Sequence, residues 1–268
     1  MDLWQAFVLS LIQGLTEFLP ISSSGHLVIT RDLLNWPEAS VAFDAFTGLG
    51  TLSAVLLYFR RDLIQIFYHW CWQFRAHKAP DPEQYAKLGN QLIIATFPAL
   101  LVGFLVKDHV DALLHSPILI ACTTISFGIL LGLADYYGKK IRTLTQTTTT
   151  QALFYGLAQA IALIPGTSRS GITITAGLAM GFSREAAARF SFLLSIPISA
   201  AAGAYGLLKL LQSDSSFSWQ VILLSYCTAF ASAYFCISLF LRFLDTIGMW
   251  PHVVYRLFLG SLLLFVFL

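Results

Sequence analysis

Two short polar runs interrupt apolar stretches of this chain: EFLPISSSGH over residues 17–26 and PGTSRSGIT over residues 165–173. Each run has apolar sequence of helix length on both sides. Hydrocarbon tolerates neither bare hydroxyls and charges nor unpaired backbone groups, so a membrane protein keeps such runs at depth only where they line a protected, wet pocket. Together the runs offer a carboxylate, an imidazole, a guanidinium, several hydroxyls and backbone N–H groups. This set suits the binding and hydrolysis of a phosphate ester or anhydride.

The composition is that of an integral membrane protein. Of the 268 residues, 57% are hydrophobic and 11% are charged, and the mean hydropathy is +0.72. A soluble domain carries about 25% charged residues. The apolar runs are continuous rather than alternating, which favours helices over strands. A net charge of +2 is too small to indicate a nucleic-acid partner.

Six segments are long enough to span a bilayer, which takes about 20 apolar residues. Two further regions, residues 4–34 and 152–180, each consist of an apolar stretch, a break rich in Pro, Ser and Gly, and a second apolar stretch. Each half is too short to cross alone, so we interpret both regions as re-entrant helix pairs. The predicted fold is therefore an all-α polytopic membrane protein with six spanning helices and two re-entrant helix pairs. We predict the spans at residues 43–59, 91–106, 118–136, 188–211, 221–241 and 253–268.

The distribution of Lys and Arg predicts the orientation. Residues 60–87 carry five basic residues and residues 139–151 carry three, whereas residues 32–41 and 212–218 carry none. Cytoplasmic loops are enriched in Lys and Arg, so the two basic loops should face the cytoplasm and both termini should lie outside.

The number of spans and the predicted sides of the loops together predict an internal inverted repeat. The first helix pair enters from the outer face and the second from the inner face, and three spans follow each pair. We therefore divide the single membrane domain of residues 1–268 into repeats at 1–138 and 150–268. Inverted repeats typically meet near the middle of the membrane and form the functional site there.

The first polar run combines an acid with a histidine. Glu17 lies four residues after Gln13, so both side chains point from one helix face. Pro20 ends that helix, and His26 falls in the first turn of the next. Gln13 and Glu17 could ligate a hard divalent cation, or Glu17 could act as a base, while His26 could be a nucleophile or proton donor. The alternative is a serine-capped helix break with a hydrogen-bonded histidine. Ser22 or Ser23 could cap the second helix. The run supplies the hydroxyls of Ser22, Ser23 and Ser24, of which Ser22 and Ser24 are candidates for substrate binding.

The second polar run precedes an apolar helix that we predict to begin near Ile172. A helix N-terminus presents unpaired N–H groups and a partial positive charge, so a phosphate placed there accepts several hydrogen bonds. Arg169 adds a bidentate fork. The alternative is that Arg169 pairs with Glu17 as a structural strut, which would still bring the two runs together. Further candidates for substrate binding are Gly166, Ser168, Ser170 and Thr173.

With these runs, the sequence resembles the bacterial undecaprenyl-pyrophosphate phosphatases, also called bacitracin-resistance proteins. The segments that carry the resemblance are QGLTEFLPISSSGH at 13–26, PGTSRSGIT at 165–173 and FSFLLSIP at 190–197. The resemblance implies removal of one phosphate from a C55 prenyl diphosphate, which gives the monophosphate lipid carrier for peptidoglycan synthesis. It also implies a divalent cation, Mg²⁺ or Ca²⁺, and a site that opens to the outer face of the bacterial inner membrane.

The resemblance also implies which residues act, but not how. Its first motif allows Glu or Gln at the leading position, so Gln13 leaves Glu17 as the main acid. Three nucleophiles are open: Ser23 with His26 or Glu17 as base, His26 itself, or water activated by Glu17 or the metal. By position, function is assigned to Glu17, Ser23, His26, Ser168, Arg169 and Thr173, with Gln13 beside them.

The main rival function is transport. Inverted repeats with re-entrant elements also occur in transporters, so the same pocket could carry or flip a phosphorylated lipid. The partners that we expect are undecaprenyl diphosphate and membrane lipid, and a homodimer remains an option. All these hypotheses require one arrangement, in which Glu17, His26 and Arg169 converge on a shared cavity.

Overall fold

The computed structural model describes residues 1–74, 81, 84–114, 116–212 and 218–267, with side chains for all of these except residues 107–114. The described residues are mainly helical, as predicted. A 3₁₀ turn, Leu144–Gln146, connects the two halves of the chain. The α-helices are α1 (Leu3–Glu17), α2 (Ser23–Leu34), α3 (Val41–Tyr58), α4 (Arg60–Trp72), α5 (Tyr85–Leu114), α6 (Pro117–Tyr137), α7 (Thr149–Ile161), α8 (Arg169–Ala179), α9 (Arg184–Leu211), α10 (Trp219–Ile247) and α11 (Trp250–Phe267).

Six helices among the described residues are long and apolar enough to cross a membrane. They are α3, α5, α6, α9, α10 and α11, and they coincide with the six predicted spans. The prediction of six spanning helices is therefore confirmed. Pro98 and Pro197 lie inside α5 and α9 without ending them, as is common where neighbouring helices support the backbone within a membrane.

The two predicted helix breaks are present and have the same local geometry. Ser22 caps α2 and Ser168 caps α8, and each serine has a positive φ, 71° and 68° respectively. In each break the capping hydroxyl lies 3.2 Å from the hydroxyl two residues later. Helix α8 begins at Arg169 rather than near Ile172, because the Ser168 cap starts the helix three residues earlier. The re-entrant path of each pair through the membrane stays a prediction.

Helix packing positions both breaks in the interior. Helix α1 packs against α10 and α7 packs against α5, while α3 contacts α9 and α6 contacts α11. If an inverted repeat relates α1 to α7, α3 to α9, α5 to α10 and α6 to α11, the α1–α10 contact corresponds to the α7–α5 contact. The α3–α9 and α6–α11 contacts then each join a helix to its own counterpart. The core beside the first break contains Phe18, which meets Phe192 of α9 edge to face at 5.3 Å. The repeats at 1–138 and 150–268 themselves stay a prediction.

Helix α4 was not predicted from the sequence. Its residues mix charges with aromatic side chains, so they form no apolar run that a span prediction could detect. The helix is held to α9 by an ion pair between Asp62 and Arg189 at 2.7 Å. Some of the basic residues that predicted the orientation, Arg75 and Lys78, lie outside the described residues, and the orientation stays a prediction.

Candidate active site

The two polar runs are in direct contact. The backbone N–H of Gly166 donates to Ser24 Oγ at 3.4 Å, and Ser170 Oγ donates to the carbonyl oxygen of Leu19 at 2.8 Å. These bonds join residues that are 142 and 151 positions apart in the chain. The fold therefore places an acid from one helix pair beside a guanidinium from the other.

The carboxylate of Glu17 is the centre of this contact. Its Oε1 accepts a hydrogen bond from Arg169 Nη2 at 3.0 Å. Its Oε2 accepts from Gln13 Nε2 at 2.9 Å and from Ser23 Oγ at 3.0 Å. The exposed fractions of the Glu17 and Arg169 side chains are 20% and 15%. The pair is thus shielded from bulk water yet open to a ligand on one side.

A cavity of about 350 Å³ opens beside Glu17, between α1, α3 and α9. Gln13 and Glu17 line one part of it, and Gly48, Gly203 and Gly206 lie along α3 and α9 on the other side. The Oε1 of Gln13 is buried and accepts no hydrogen bond from the described residues. The other lining residues are Val41, Asp44, Ala45, Thr51, Ser199, Ala202, Tyr205 and Lys209. The cavity therefore offers oxygen ligands at its Glu17 end and a cation from α9.

The predicted serines divide into two groups. Ser22 and Ser168 cap helices, and Ser24 and Ser170 join the two breaks. Only Ser23 hydrogen-bonds the Glu17 carboxylate among these hydroxyls. A hydroxyl within hydrogen-bonding distance of a base is the arrangement expected of an activated nucleophile.

Thr173 and Gly166 lie behind this contact. Thr173 is fully buried, and its hydroxyl donates to the carbonyl oxygen of Arg169 and lies 2.7 Å from Ser191 Oγ. Gly166 has a φ of +84°, and a Cβ at this position would overlap with Thr123 Oγ1. Both residues thus support the backbone that presents Arg169, and their predicted contact with substrate stays a prediction.

His26 lies on another side of the first break. Its Nδ1 is 2.7 Å from the carbonyl oxygen of Ser22, and its Nε2 is 2.7 Å from the hydroxyl of Tyr255. The ring lines an apolar groove of about 470 Å³ between α1 and α11, and this groove does not include Glu17. A carbonyl oxygen only accepts, so Nδ1 carries the proton and, in the neutral ring, Nε2 accepts from Tyr255. The structure thus joins Glu17 with Arg169 but places His26 in a different cavity.

Several residues around the breaks were not identified from the sequence. Thr123 and Thr124 of α6 donate to the carbonyl oxygens of Pro165 and Gly166. Arg256 of α11 is fully buried and bonds both breaks. An ionisable residue within a spanning segment is a functional candidate by default, and that signal could have identified Arg256. No local pattern predicts the pairing of Tyr255 with His26, since 229 residues separate them.

Known proteins are similar to this chain over nearly its whole length. Residues 6–262 match the sequence model of a family described as "Bacitracin resistance protein BacA". The chain belongs to this family. A relative named "Undecaprenyl-diphosphatase" from Dichelobacter nodosus is 68% identical over 268 residues, which is the whole of both chains. Another protein of that name, from Chromohalobacter salexigens, is 48% identical over 264 residues, or 98% of each chain.

Membership in the BacA family, together with six apolar helices, makes this chain a multi-pass membrane protein. The family match spans both breaks, so it includes Glu17 and Arg169. The family resemblance predicted from the two polar runs is confirmed.

Proposed function

We propose that this chain hydrolyses undecaprenyl diphosphate to undecaprenyl phosphate and phosphate, so that the lipid carrier is recycled for peptidoglycan synthesis. The observation that carries the proposal is the Glu17–Arg169 pair where the two breaks meet, in a chain whose relatives are named undecaprenyl-diphosphatase. An acid, a guanidinium and a hydroxyl within 3.0 Å of the acid supply a base, an anion clamp and a nucleophile.

The second break supplies the phosphate site. The N–H of Gly171 donates to the capping Ser168 Oγ, and the N–H groups of Arg169 and Ser170, for which the helix has no acceptor, point to the N-terminal end of α8. Arg169 uses one nitrogen for Glu17, and its planar fork has further donors for phosphate oxygens. The prenyl chain stays in the lipid, because transfer of a hydrocarbon chain from lipid into a polar cavity is not favourable.

The nucleophile that we propose is Ser23. Its proton passes to Glu17, the Ser23 Oγ forms a bond to the terminal phosphorus, and the bridging P–O bond breaks to release undecaprenyl phosphate. Water then hydrolyses the phosphoserine. His26 is a poorer candidate, because Ser22 and Tyr255 already engage both ring nitrogens. A phosphoenzyme trapped with labelled substrate and mapped to Ser23 supports this step. Labelling of His26 instead, or no phosphoenzyme on the time scale of turnover, would favour direct attack by His26 or by water.

Two neighbouring side chains at the Glu17 end of the cavity support the proposal of a divalent cation site. Gln13 Oε1 is a buried oxygen that lacks a donor among the described residues, and Glu17 lies one helical turn away. Mg²⁺ commonly binds one or two carboxylates together with substrate phosphates, which explains how few protein ligands the site needs. We propose that Gln13 and Glu17 hold Mg²⁺ or Ca²⁺, which when bound would offset phosphate charge.

Replacing Gln13 by Glu is expected to lower the Mg²⁺ concentration that gives half-maximal activity, because a carboxylate binds a hard cation better than an amide does. The substitution Gln13→Leu should raise that concentration, since it removes the oxygen. Titration of Mg²⁺ into chelator-treated protein measures both effects, with Gln146→Glu in the loop before α7 as the control. Identical metal titrations for all three variants would remove Gln13 from the metal site.

The test of the activity is phosphate release from undecaprenyl diphosphate by the purified protein in detergent. Detergent micelles have no two sides, so transport cannot produce this signal. We expect release of one phosphate per lipid and accumulation of undecaprenyl phosphate. If the protein moves the lipid across vesicles but releases no phosphate, the transporter hypothesis replaces the hydrolase.

We further propose that the cavity between α3 and α9 admits the diphosphate from the outer face of the bacterial inner membrane. It extends along α3 from Val41, which follows a segment without basic residues, to the level of Glu17. A Cβ built on Gly48 meets no atom within 4 Å. Neither close packing nor a positive φ requires glycine at position 48. The lack of a side chain there leaves open space in the cavity.

A graded series at Gly48 tests this route. Gly48→Ala should leave folding and activity near normal, because alanine favours helix by about 1 kcal/mol over glycine. Gly48→Leu and Gly48→Phe should fold as well but raise KM progressively as the side chain fills the cavity. Steady-state kinetics with undecaprenyl diphosphate measure the series, and Leu57→Phe on the exposed face of α3 is the control. Wild-type KM in the Phe variant would mean that the substrate uses another route.

A further inference from the structure

Arg256 is the largest fully buried side chain among the described residues. It lies in α11, a helix that is apolar enough to span the membrane. Burial of a guanidinium is costly unless hydrogen bonds replace its contacts with water. A buried arginine in such a helix therefore indicates a specific role. The catalytic steps proposed above do not use Arg256.

The bonding pattern of Arg256 shows what it holds. Nη1 donates to the carbonyl oxygen of Pro20 at 3.3 Å, and Nη2 donates to those of Gly166 at 3.2 Å and Thr167 at 3.0 Å. Nε donates to the carbonyl oxygen of Thr124 at 3.0 Å. One side chain thus joins the first break, the second break and α6. A guanidinium can do this because its donors form a rigid planar fork.

Glycines make the space for this side chain. A Cβ on Gly171 would lie 2.8 Å from Arg256 Nη1, and a Cβ on Gly128 would lie 3.0 Å from Arg256 Cβ and 3.3 Å from Nε. Neither glycine has a positive φ, so backbone conformation does not require them. The Arg256 side chain lies nearest to a Cβ at both sites, and at Gly171 the Ser168 side chain lies 3.1 Å away as well.

The acceptors of Arg256 also affect the phosphate site. A trans peptide points its C=O and its N–H in opposite directions. The bond to the Thr167 carbonyl therefore turns the N–H of Ser168, at the N-terminus of α8, away from Arg256. All four acceptors are backbone oxygens, and the ion pairs of the described residues do not include Arg256. Its positive charge thus remains behind the phosphate site without a carboxylate to neutralise it.

We propose that Arg256 is a positioning residue for the reaction. It fixes the two breaks relative to each other, so that Glu17 and Ser23 of one meet the phosphate held by the other, and its charge strengthens phosphate binding without contact with substrate. This inference rests on the proposed function of the site. The position of the Arg256 side chain should determine kcat, and its charge should determine the affinity for anions, so the two effects can be tested separately.

Two substitutions separate these claims. Arg256→Lys keeps the charge but cannot span both breaks, so kcat should fall about tenfold or more while the affinity for inorganic pyrophosphate stays near normal. Arg256→Met removes the charge as well, so pyrophosphate affinity should also fall about tenfold. Kinetics with undecaprenyl diphosphate measure kcat, and isothermal titration with inorganic pyrophosphate measures affinity.

A third variant covers the case in which these proteins do not fold. Gly128→Ala, on α6 outside both breaks, would place a methyl group 3.0 Å from Arg256 Cβ and 3.3 Å from its Nε, so the Arg256 side chain must shift without being removed, and kcat should fall. Gly103→Ala is the control, because a Cβ there meets only Leu163 at 3.9 Å. Wild-type kcat in both Arg256→Lys and Gly128→Ala would overturn the positioning claim, and wild-type pyrophosphate affinity in Arg256→Met would overturn the charge claim. Wild-type protein that binds pyrophosphate but releases no phosphate would instead contradict the proposed function.

Discussion

Replacement of Arg169 by alanine is expected to lower kcat/KM for phosphate release by about 10²–10³-fold, the range seen when one preorganised donor is removed from a transition-state site. The side chain is shielded and lies 3.0 Å from Glu17. Its charge is therefore fixed in place before the substrate arrives, and it offsets the negative charge on the transferring phosphoryl group. Phosphate release in detergent measures the effect.

The Arg169→Ala protein should still fold. Gln13 and Ser23 continue to donate to Glu17, and Ser24 and Ser170 continue to join the two breaks. Arg142→Ala is a matched control, since Arg142 is exposed in the segment between α6 and α7. Arg169→Lys should recover part of the activity, because it restores charge without the fork. Near-normal turnover in folded Arg169→Ala would remove the guanidinium from the mechanism.

Replacement of Glu17 by glutamine is the second large effect that we expect. The substitution keeps the size of the side chain but removes the charge that accepts the Ser23 proton, and it replaces one of the two acceptor oxygens by an NH₂ group. General-base catalysis contributes about 10²–10⁴-fold, so we expect a loss of kcat in this range. Single-turnover measurement with saturating substrate separates this loss from weaker binding.

The double variant makes the test of Glu17 sharper. Residues that act as one unit have strongly non-additive effects, so Glu17→Gln combined with Arg169→Ala should be little worse than either change alone. Glu185→Gln is the control, because Glu185 is a half-exposed acid at the start of α9. Full multiplication of the two losses would mean that Glu17 and Arg169 contribute independently, and that they do not act as one unit.

Local patterns predicted the elements of this fold well. Continuous apolar runs predicted the six spans, because burial in hydrocarbon requires uniform hydrophobicity along a helix. The cap at Ser22 followed from a serine that directly precedes an apolar helix. The contact between Glu17 and Arg169 was also foreseen, although as the structural alternative. Helix α4 was missed, since its charges and aromatic residues form no apolar run.

Long-range pairings could not be predicted in the same way. The expectation that His26 would share a cavity with Glu17 rested on their closeness in sequence, and the helix break between them turns the ring toward Tyr255 instead. Arg256 lies 90 residues from Gly166 and 236 from Pro20. Such contacts depend on how α11 packs against α6, which a single sequence does not encode in any local period.

The position of a bound diphosphate tests the central claim most directly. A structure of the protein with a non-hydrolysable prenyl methylenediphosphonate would locate both phosphonate groups. We predict that they lie at the N-terminus of α8, within hydrogen-bonding distance of Arg169 and beside Ser23, with the prenyl chain leading into lipid. Phosphonate density in the groove of His26 and Tyr255, or on the predicted cytoplasmic face, would contradict the claim that the two breaks form one hydrolytic site.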